Sequence, residues 1–392
     1  MNQSLVIAKV SISEKRGNVM RCTQNSAECK TAIKKNPLKE RDEKLDFYRG
    51  LAILNIVCIH TCFFSGQSYL PDILRTLCLL YDVPILVFLA GRSAQYRSDF
   101  AATFWGLIKI WIEWMFISTL VALGYRLLNG KSVVTPLQYL QGLFFYPLEV
   151  EHLGIFYQSM WYMQMYVVVV LVAAALRELD KRIHFSLISK WAFVLFLVIG
   201  LAYTSICEKD SFFVLNRTQL CFLSFFLMGY FTKASDRISV RHYLTQVAFF
   251  ITLWIGISKA YHVSFLNIQA VKFPPHIIYW AVSMISIITC RFLWQYGDSL
   301  IHRCRFIRFW GRNSLCFFFS QGIGAGLIYR FVPLAQTQGW IKTFLLSLAV
   351  NYLVTYALGL IFFLLFRGLN QLIWKANLLQ LTKECFNPVS RQ

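Results

Sequence analysis

The sequence predicts an all-α, polytopic membrane protein with about ten transmembrane helices and both termini in the cytoplasm. Three observations carry this. Apolar residues make up 57% of the 392 positions and charged residues only 15%, with a mean hydropathy of +0.52; a soluble domain carries about a quarter charged residues. Ten apolar runs are long enough to cross roughly 30 Å of hydrocarbon. Basic residues also gather on alternate linkers, as the positive-inside rule requires. Aromatics reach 17%, with 35 Phe, which suits lipid-facing surfaces and interface belts. A net charge of +20 would raise nucleic acid as a partner of a soluble protein. Here the positive-inside rule accounts for it, and no nucleic-acid partner is expected.

Residues 1–47 hold ten Lys and Arg and no apolar core ahead of a cleavage site, so they read as a mobile cytoplasmic basic tail rather than a secretory signal. The membrane domain follows over 48–366. Its apolar runs lie at 48–66, 73–91, 103–124, 159–176, 189–207, 215–231, 243–262, 276–294, 313–331 and 343–366. The linkers after the second, fourth, sixth and eighth runs are basic. They carry Arg92 and Arg97, then Arg177, Lys181, Arg182 and Lys190, then Lys233, Arg237 and Arg241, then Arg303, Arg305, Arg308 and Arg312. The opposite linkers hold few, among them Lys131, Lys209, Lys272, Arg330 and Lys342. Residues 367–392 form a cytoplasmic tail. The longest outer connection, 125–158, contains Glu149, Glu151 and His152, and its Leu140–Tyr146 stretch suits a short interfacial helix. No internal repeat is visible.

The eleven cysteines include no CxxC pair, so neither a zinc nor a redox motif is supported. Cys58 and Cys62 stand four apart on one helix face. Two thiols without further ligands at matching spacing make no metal site, and none is expected.

Chemistry concentrates in the first span. His60 lies inside the apolar run Leu51–Phe64. It stands eleven residues beyond Arg49, which is roughly 16 Å along a helix and three turns plus about 20° around it. Arg49 and His60 therefore share a face, and Asp46 lies on nearly the same face one turn earlier, where it can pair with Arg49. An ionisable residue at mid-membrane marks a functional site by default, and a neutral imidazole can accept a proton. Glu113, inside the third span, either orients His60 or pairs with Lys109 one turn before it.

The residues around this pair point further. Leu45-Asp46-Phe47-Tyr48-Arg49-Gly50-Leu51-Ala52, with His60 eleven after Arg49, resembles the opening signature of the integral membrane acyltransferase family 3. Four other segments fit that family's order: Val83-Pro84-Ile85-Leu86-Val87-Phe88-Leu89-Ala90-Gly91, Trp161-Tyr162-Met163, Lys272-Phe273-Pro274-Pro275 with Tyr279-Trp280, and Gly311-Arg312-Asn313-Ser314-Leu315. The departures are local. Asp82 stands where the family often has His before the proline, Gln321 is the polar residue near where a later His often falls, Ala90 replaces Ser, and the cations leading into the third span thin to Arg97 and Lys109.

The resemblance implies transfer of an acyl group, usually acetyl, from cytoplasmic acyl-CoA to a hydroxyl of a carbohydrate, free at the cell surface or lipid-linked. Acetyl-CoA is then a co-substrate and no cofactor is bound. The partners are the lipid bilayer, acyl-CoA and the carbohydrate acceptor, and the location is a bacterial cytoplasmic (inner) membrane. Arg49 would meet the CoA phosphates, helped by Arg97, Lys109 or Arg312, since the guanidinium fork matches phosphate, and Asp46, paired with Arg49, would belong to the same donor site. His60 would deprotonate the acceptor or carry the acyl group itself. Trp161, Tyr162, Pro275 and Tyr279 would lie on the acceptor side, although an outer aromatic belt also accounts for the first two. The rival reading is a transporter or flippase for a lipid-linked sugar or small solute, which would be expected to show internal symmetry.

Overall fold

The computed structural model describes residues 42–64, 69–96, 99–130, 134–144, 146, 154–233, 237–296, 298–335 and 339–375. The predicted N-terminal tail, apart from its last six residues, and most of the C-terminal tail lie outside them, as do Arg97, Glu149, Glu151 and His152.

The chain is all-α but for one two-residue hairpin. The helices are α1 (Glu43–Phe64), α2 (Asp72–Leu79), α3 (Val83–Ala94), α4 (Phe100–Asn129), α5 (Pro136–Leu143), α6 (Gly154–Gln158), α7 (Trp161–Ile183) and α8 (Leu187–Ile206). A hairpin of β1 (Ser211–Phe212) and β2 (Leu215–Asn216), antiparallel with Ser211 opposite Asn216, leads into α9 (Arg217–Phe231). Then come α10 (Val240–Ala260), a 3₁₀ turn at Ile268–Val271, α11 (Ile277–Leu293), α12 (Asp298–Arg303), α13 (Arg305–Arg312), α14 (Ser314–Ala335) and α15 (Trp340–Lys375). The first helix takes in the last residues of the predicted tail, and the last helix runs on past 366.

Among the described residues, seven segments are long and apolar enough to cross a membrane: Glu43–Phe64, Asp72–Ala94, Phe100–Leu127, Ile155–Ile183, Leu187–Ile206, Val240–Ala260 and Trp340–Gln371. The sixth, eighth and ninth predicted spans fall on shorter apolar helices: α9 with 15 residues, α11 with 17, and α14 over Ser314–Ile328. All but one of the residues Leu220–Tyr230 in α9 are buried. Protein-enclosed helices need not match the bilayer, because their ends meet protein rather than lipid.

Local signals set many helix ends. Asp99 caps α4 by accepting from the Ala102 amide at 2.6 Å. Ser186 and Ser239 cap α8 and α10 in the same way. Thr135 with Gln138, and Asn216 with Gln219, form reciprocal capping boxes on α5 and α9, each satisfying two amides that the helix itself leaves unpaired. The short helix α5 overlaps the predicted interfacial segment over Leu140–Leu143 and begins four residues before it. Its last carbonyls, Gly142 and Leu143, accept from the indole nitrogens of Trp114 and Trp111 at 2.8 and 2.9 Å.

Lipid supplies no hydrophobic force between helices, so close packing of small residues holds them together. Two crossings depend on glycine. At the crossing of α1 and α13, a Cβ on Gly50 would lie 1.9 Å from the Ile307 carbonyl oxygen, and one on Gly311 would lie 1.6 Å from that of Asp46. At the crossing of α3 and α9, Gly91 and Gly229 meet the carbonyls of Phe226 and Phe88 in the same way. Behind the first crossing, Trp310 stacks on Phe317 with centroids 4.1 Å apart, and Tyr356 of α15 stacks parallel to both.

The second predicted span is not one helix. It breaks at Leu80–Asp82, where Pro84 stands in the first turn of α3 and cannot donate to the preceding turn. A break at this depth exposes carbonyls that water cannot reach. Asn55 of α1 satisfies two of them, donating to the Cys78 oxygen at 2.7 Å and the Tyr81 oxygen at 2.5 Å.

Candidate active site

The unbroken course of α1 upholds the spacing argument: Arg49 and His60 lie on one helix, roughly 16 Å apart along its axis. The His60 ring meets Phe64 edge-on at 5.2 Å. Its Nδ1 is buried and has no hydrogen-bond partner among the described residues. The Gln321 side chain of α14 comes within hydrogen-bonding reach of the ring, but neither its Oε1 nor its Nε2 makes a well-formed hydrogen bond to the described residues. Among those residues, His60 Nδ1 and the Gln321 amide thus face each other without other partners, where most buried polar atoms are paired.

A buried ion pair lies beside this point. Lys272 Nζ is 2.6 Å from Asp82 Oδ2, both side chains at most 6% exposed, and the Tyr279 hydroxyl donates to the same oxygen at 2.9 Å. Both charges, Lys272 and Asp82, lie within electrostatic reach of the His60 ring. The break in the second span makes the arrangement possible, since it sets Asp82 at the N-terminus of α3, where the helix dipole favours an anion. Lys272 sits in the turn before α11, and Phe273 beside it packs edge-on against Trp161 at 4.8 Å. Tyr279 thus joins the Lys272–Asp82 pair, while half-buried Trp161 packs on Phe273, the residue next to Lys272. Tyr162 turns instead toward Phe318 at 5.1 Å and Tyr166 at 5.7 Å, within reach of the Arg49 charge.

Toward the basic end of the bundle, Arg49 lines a small cleft with Arg177, Thr103, Tyr166 and Tyr230. Arg177 is held there by the Asp99 carbonyl at 2.7 Å and the Thr103 hydroxyl at 3.1 Å. The sequence model of the acyltransferase domain family matches residues 42–374, which takes in this cleft, the His60 site and every helix from α1 to α14. The chain belongs to acyltransferase family 3. No curated protein and no solved structure matches it.

Lys109, Glu113 and Arg312 of this membrane acyltransferase line a second cleft, with Arg367 and Asn370 among its other walls. Of the two readings of Glu113, the local pair is the one present in the structure. Glu113 pairs with Lys109 at 3.8 Å and accepts from Asn370 at 3.4 Å, and the charges within electrostatic reach of His60 are Lys272 and Asp82. Local pairing thus accounts for Glu113, as one helical turn between it and Lys109 allows. Asp46 is buried in the first turn of α1 against α13. Asn313 does not cap α14 with its side chain, which donates to the Phe309 carbonyl and closes α13. Arg217, for which the sequence suggests no partner, donates to the Lys209 carbonyl at 2.6 Å.

Sequence reasoning left Asp82, Lys272, Gln321, Arg177 and Arg367 out of the site. Two of them carried a usable signal. Asp82 is an acid inside an apolar run, and Lys272 is one of the few cations on its side of the membrane.

Proposed function

We propose that this acyltransferase moves an acetyl group from cytoplasmic acetyl-CoA to a hydroxyl of a cell-surface or lipid-linked carbohydrate, in a bacterial cytoplasmic membrane, with His60 as general base. The observation that carries the reading is the buried His60 Nδ1 and Gln321 amide, without other partners among the described residues, beside a paired lysine, with His60 on the same helix face as Arg49. A bound acceptor hydroxyl and thioester carbonyl would supply those partners.

In this reading Arg49 and Arg177 engage the CoA phosphates, for which the guanidinium geometry is suited. The pantetheine arm runs along α1 to bring the thioester to His60. The acceptor hydroxyl passes its proton to His60 as its oxygen attacks the carbonyl carbon. Negative charge develops on the carbonyl oxygen, where the Gln321 amide and the Lys272 charge favour it. The C–S bond then breaks, and His60 returns the proton to the leaving thiolate. Asp82 and Tyr279 hold Lys272 rather than His60, so they are positioning residues.

Purified protein in proteoliposomes, supplied with labelled acetyl-CoA and membrane glycolipid acceptors, tests this. The wild type is expected to transfer label or hydrolyse the thioester slowly, and His60→Ala to lose ~10²–10⁴-fold of that rate while remaining folded. Near-normal turnover in His60→Ala would remove His60 from the mechanism. Solute flux without thioester turnover would favour the transporter.

A further inference from the structure

Cys58 and Cys62 of α1 meet a third thiol. Cys78, in the last turn of α2, has its sulfur 3.5 Å from that of Cys58 and 3.6 Å from that of Cys62, and all three sulfurs lie within 4.8 Å of one another. A buried cysteine is ordinarily a small hydrophobe. Three converging from two helices that are distinct in sequence is a different arrangement. A metal with sulfurs at ~2.3 Å holds them roughly 3.8–4.0 Å apart, so the triangle needs adjustments of only a few tenths of an ångström on its two short sides.

We propose that Cys58, Cys62 and Cys78 form a trigonal three-sulfur site for a soft monovalent ion, Cu(I). Three features select this ion class. All three donors are sulfur, the donor type that soft metals take. No fourth His, Cys, Asp or Glu joins the group among the described residues, whereas structural zinc closes a tetrahedron of four ligands. The setting is apolar, with Cys62 and Cys78 buried and Cys58 half-buried, which offers little to hold the water that completes a three-ligand zinc site.

The surrounding groups orient the ligands, as the outer shell of a metal site does. Asn55 fixes the Cys78 backbone by donating to its carbonyl at 2.7 Å. The Tyr352 side chain lies within electrostatic reach of all three sulfurs, and its hydroxyl is fixed by donating to the Leu54 carbonyl at 2.8 Å. Each metal–sulfur bond displaces a thiol proton to solvent, so binding tightens as pH rises. The bound ion fastens α2 to α1 just outside the break that carries Asp82.

The test uses full-length protein in detergent, titrated anaerobically with Cu(I) against a competing chelator. One tightly held ion per chain is expected, with X-ray absorption reporting three sulfurs and no nitrogen or oxygen. Cys58→Ser, Cys62→Ser and Cys78→Ser are each expected to weaken binding by at least ~100-fold, and Asn55→Ala by ~10–100-fold, with Cys221→Ser as an unaffected control. Two-sulfur or mixed-donor coordination in the wild type overturns the proposal without recourse to any variant. Equal uptake by wild type and triple variant overturns it too, as does a disulfide between any two of the three cysteines in the protein as purified.

Discussion

Asp82 and Lys272 are each other's main compensation in a low-dielectric interior. Removing one partner of a buried pair leaves an uncompensated charge and typically costs about 3–5 kcal/mol, whereas replacing both by neutral groups is often nearly neutral. Asp82→Asn and Lys272→Met are therefore each expected to lower the thermal unfolding temperature in detergent, and the double variant to recover most of the loss. Acyl transfer is expected to stay impaired in the double variant, because the charge beside His60 is gone. Single variants with wild-type unfolding temperatures would show that the pair is solvated. Arg49 and His60 were legible in the sequence because one helix carries both, and helix geometry alone relates them. The Asp82–Lys272–Tyr279 group was not, because 190 residues separate Asp82 from Lys272 and no local pattern encodes a contact over that interval. Gln321 was visible as a polar residue near the end of a motif, but only the packing of α14 on α1 brings it to the ring.

Positions of the membrane helices followed from hydropathy and charge alternation, and the short α5 from its own apolar stretch. The break between α2 and α3 did not, because the run from Leu79 to Leu89 stays apolar apart from Tyr81, Asp82 and Pro84. Helix crossings were equally hidden, since a glycine in a membrane segment shows its purpose only when its partner is known. Gly311→Ala measures one of them. Its Cβ would fall 1.6 Å from the Asp46 carbonyl oxygen and 2.7 Å from the Gly50 nitrogen, both backbone atoms, so α13 must withdraw from α1. Overpacking of this kind typically costs about 1–3 kcal/mol, and the expected outcome is a lower unfolding temperature. Gly256→Ala, where nothing lies within 4 Å of the new methyl group, is the matched control and is expected to leave that temperature unchanged.

The molecule is polar end to end in its charges. Two clefts with arginine and lysine in their walls gather residues of the basic linkers or of the helices leading from them, and the His60 group lies farther along α1 toward the sparsely charged side. Sided vesicles read this asymmetry directly. Inverted membrane vesicles supplied with acetyl-CoA outside are expected to support transfer, and right-side-out vesicles supplied identically are not. Equal activity in both orientations would mean that the donor reaches His60 from either face. The stitch made by Asn55 has a consequence for how such a sequence can drift. By hydropathy alone, exchanging this asparagine for leucine would improve the first segment as a bilayer helix, and a composition-based score would reward it. The exchange would strand two peptide oxygens of the adjoining segment in hydrocarbon, so a mutational survey should find this position intolerant of the very residues that dominate its neighbours.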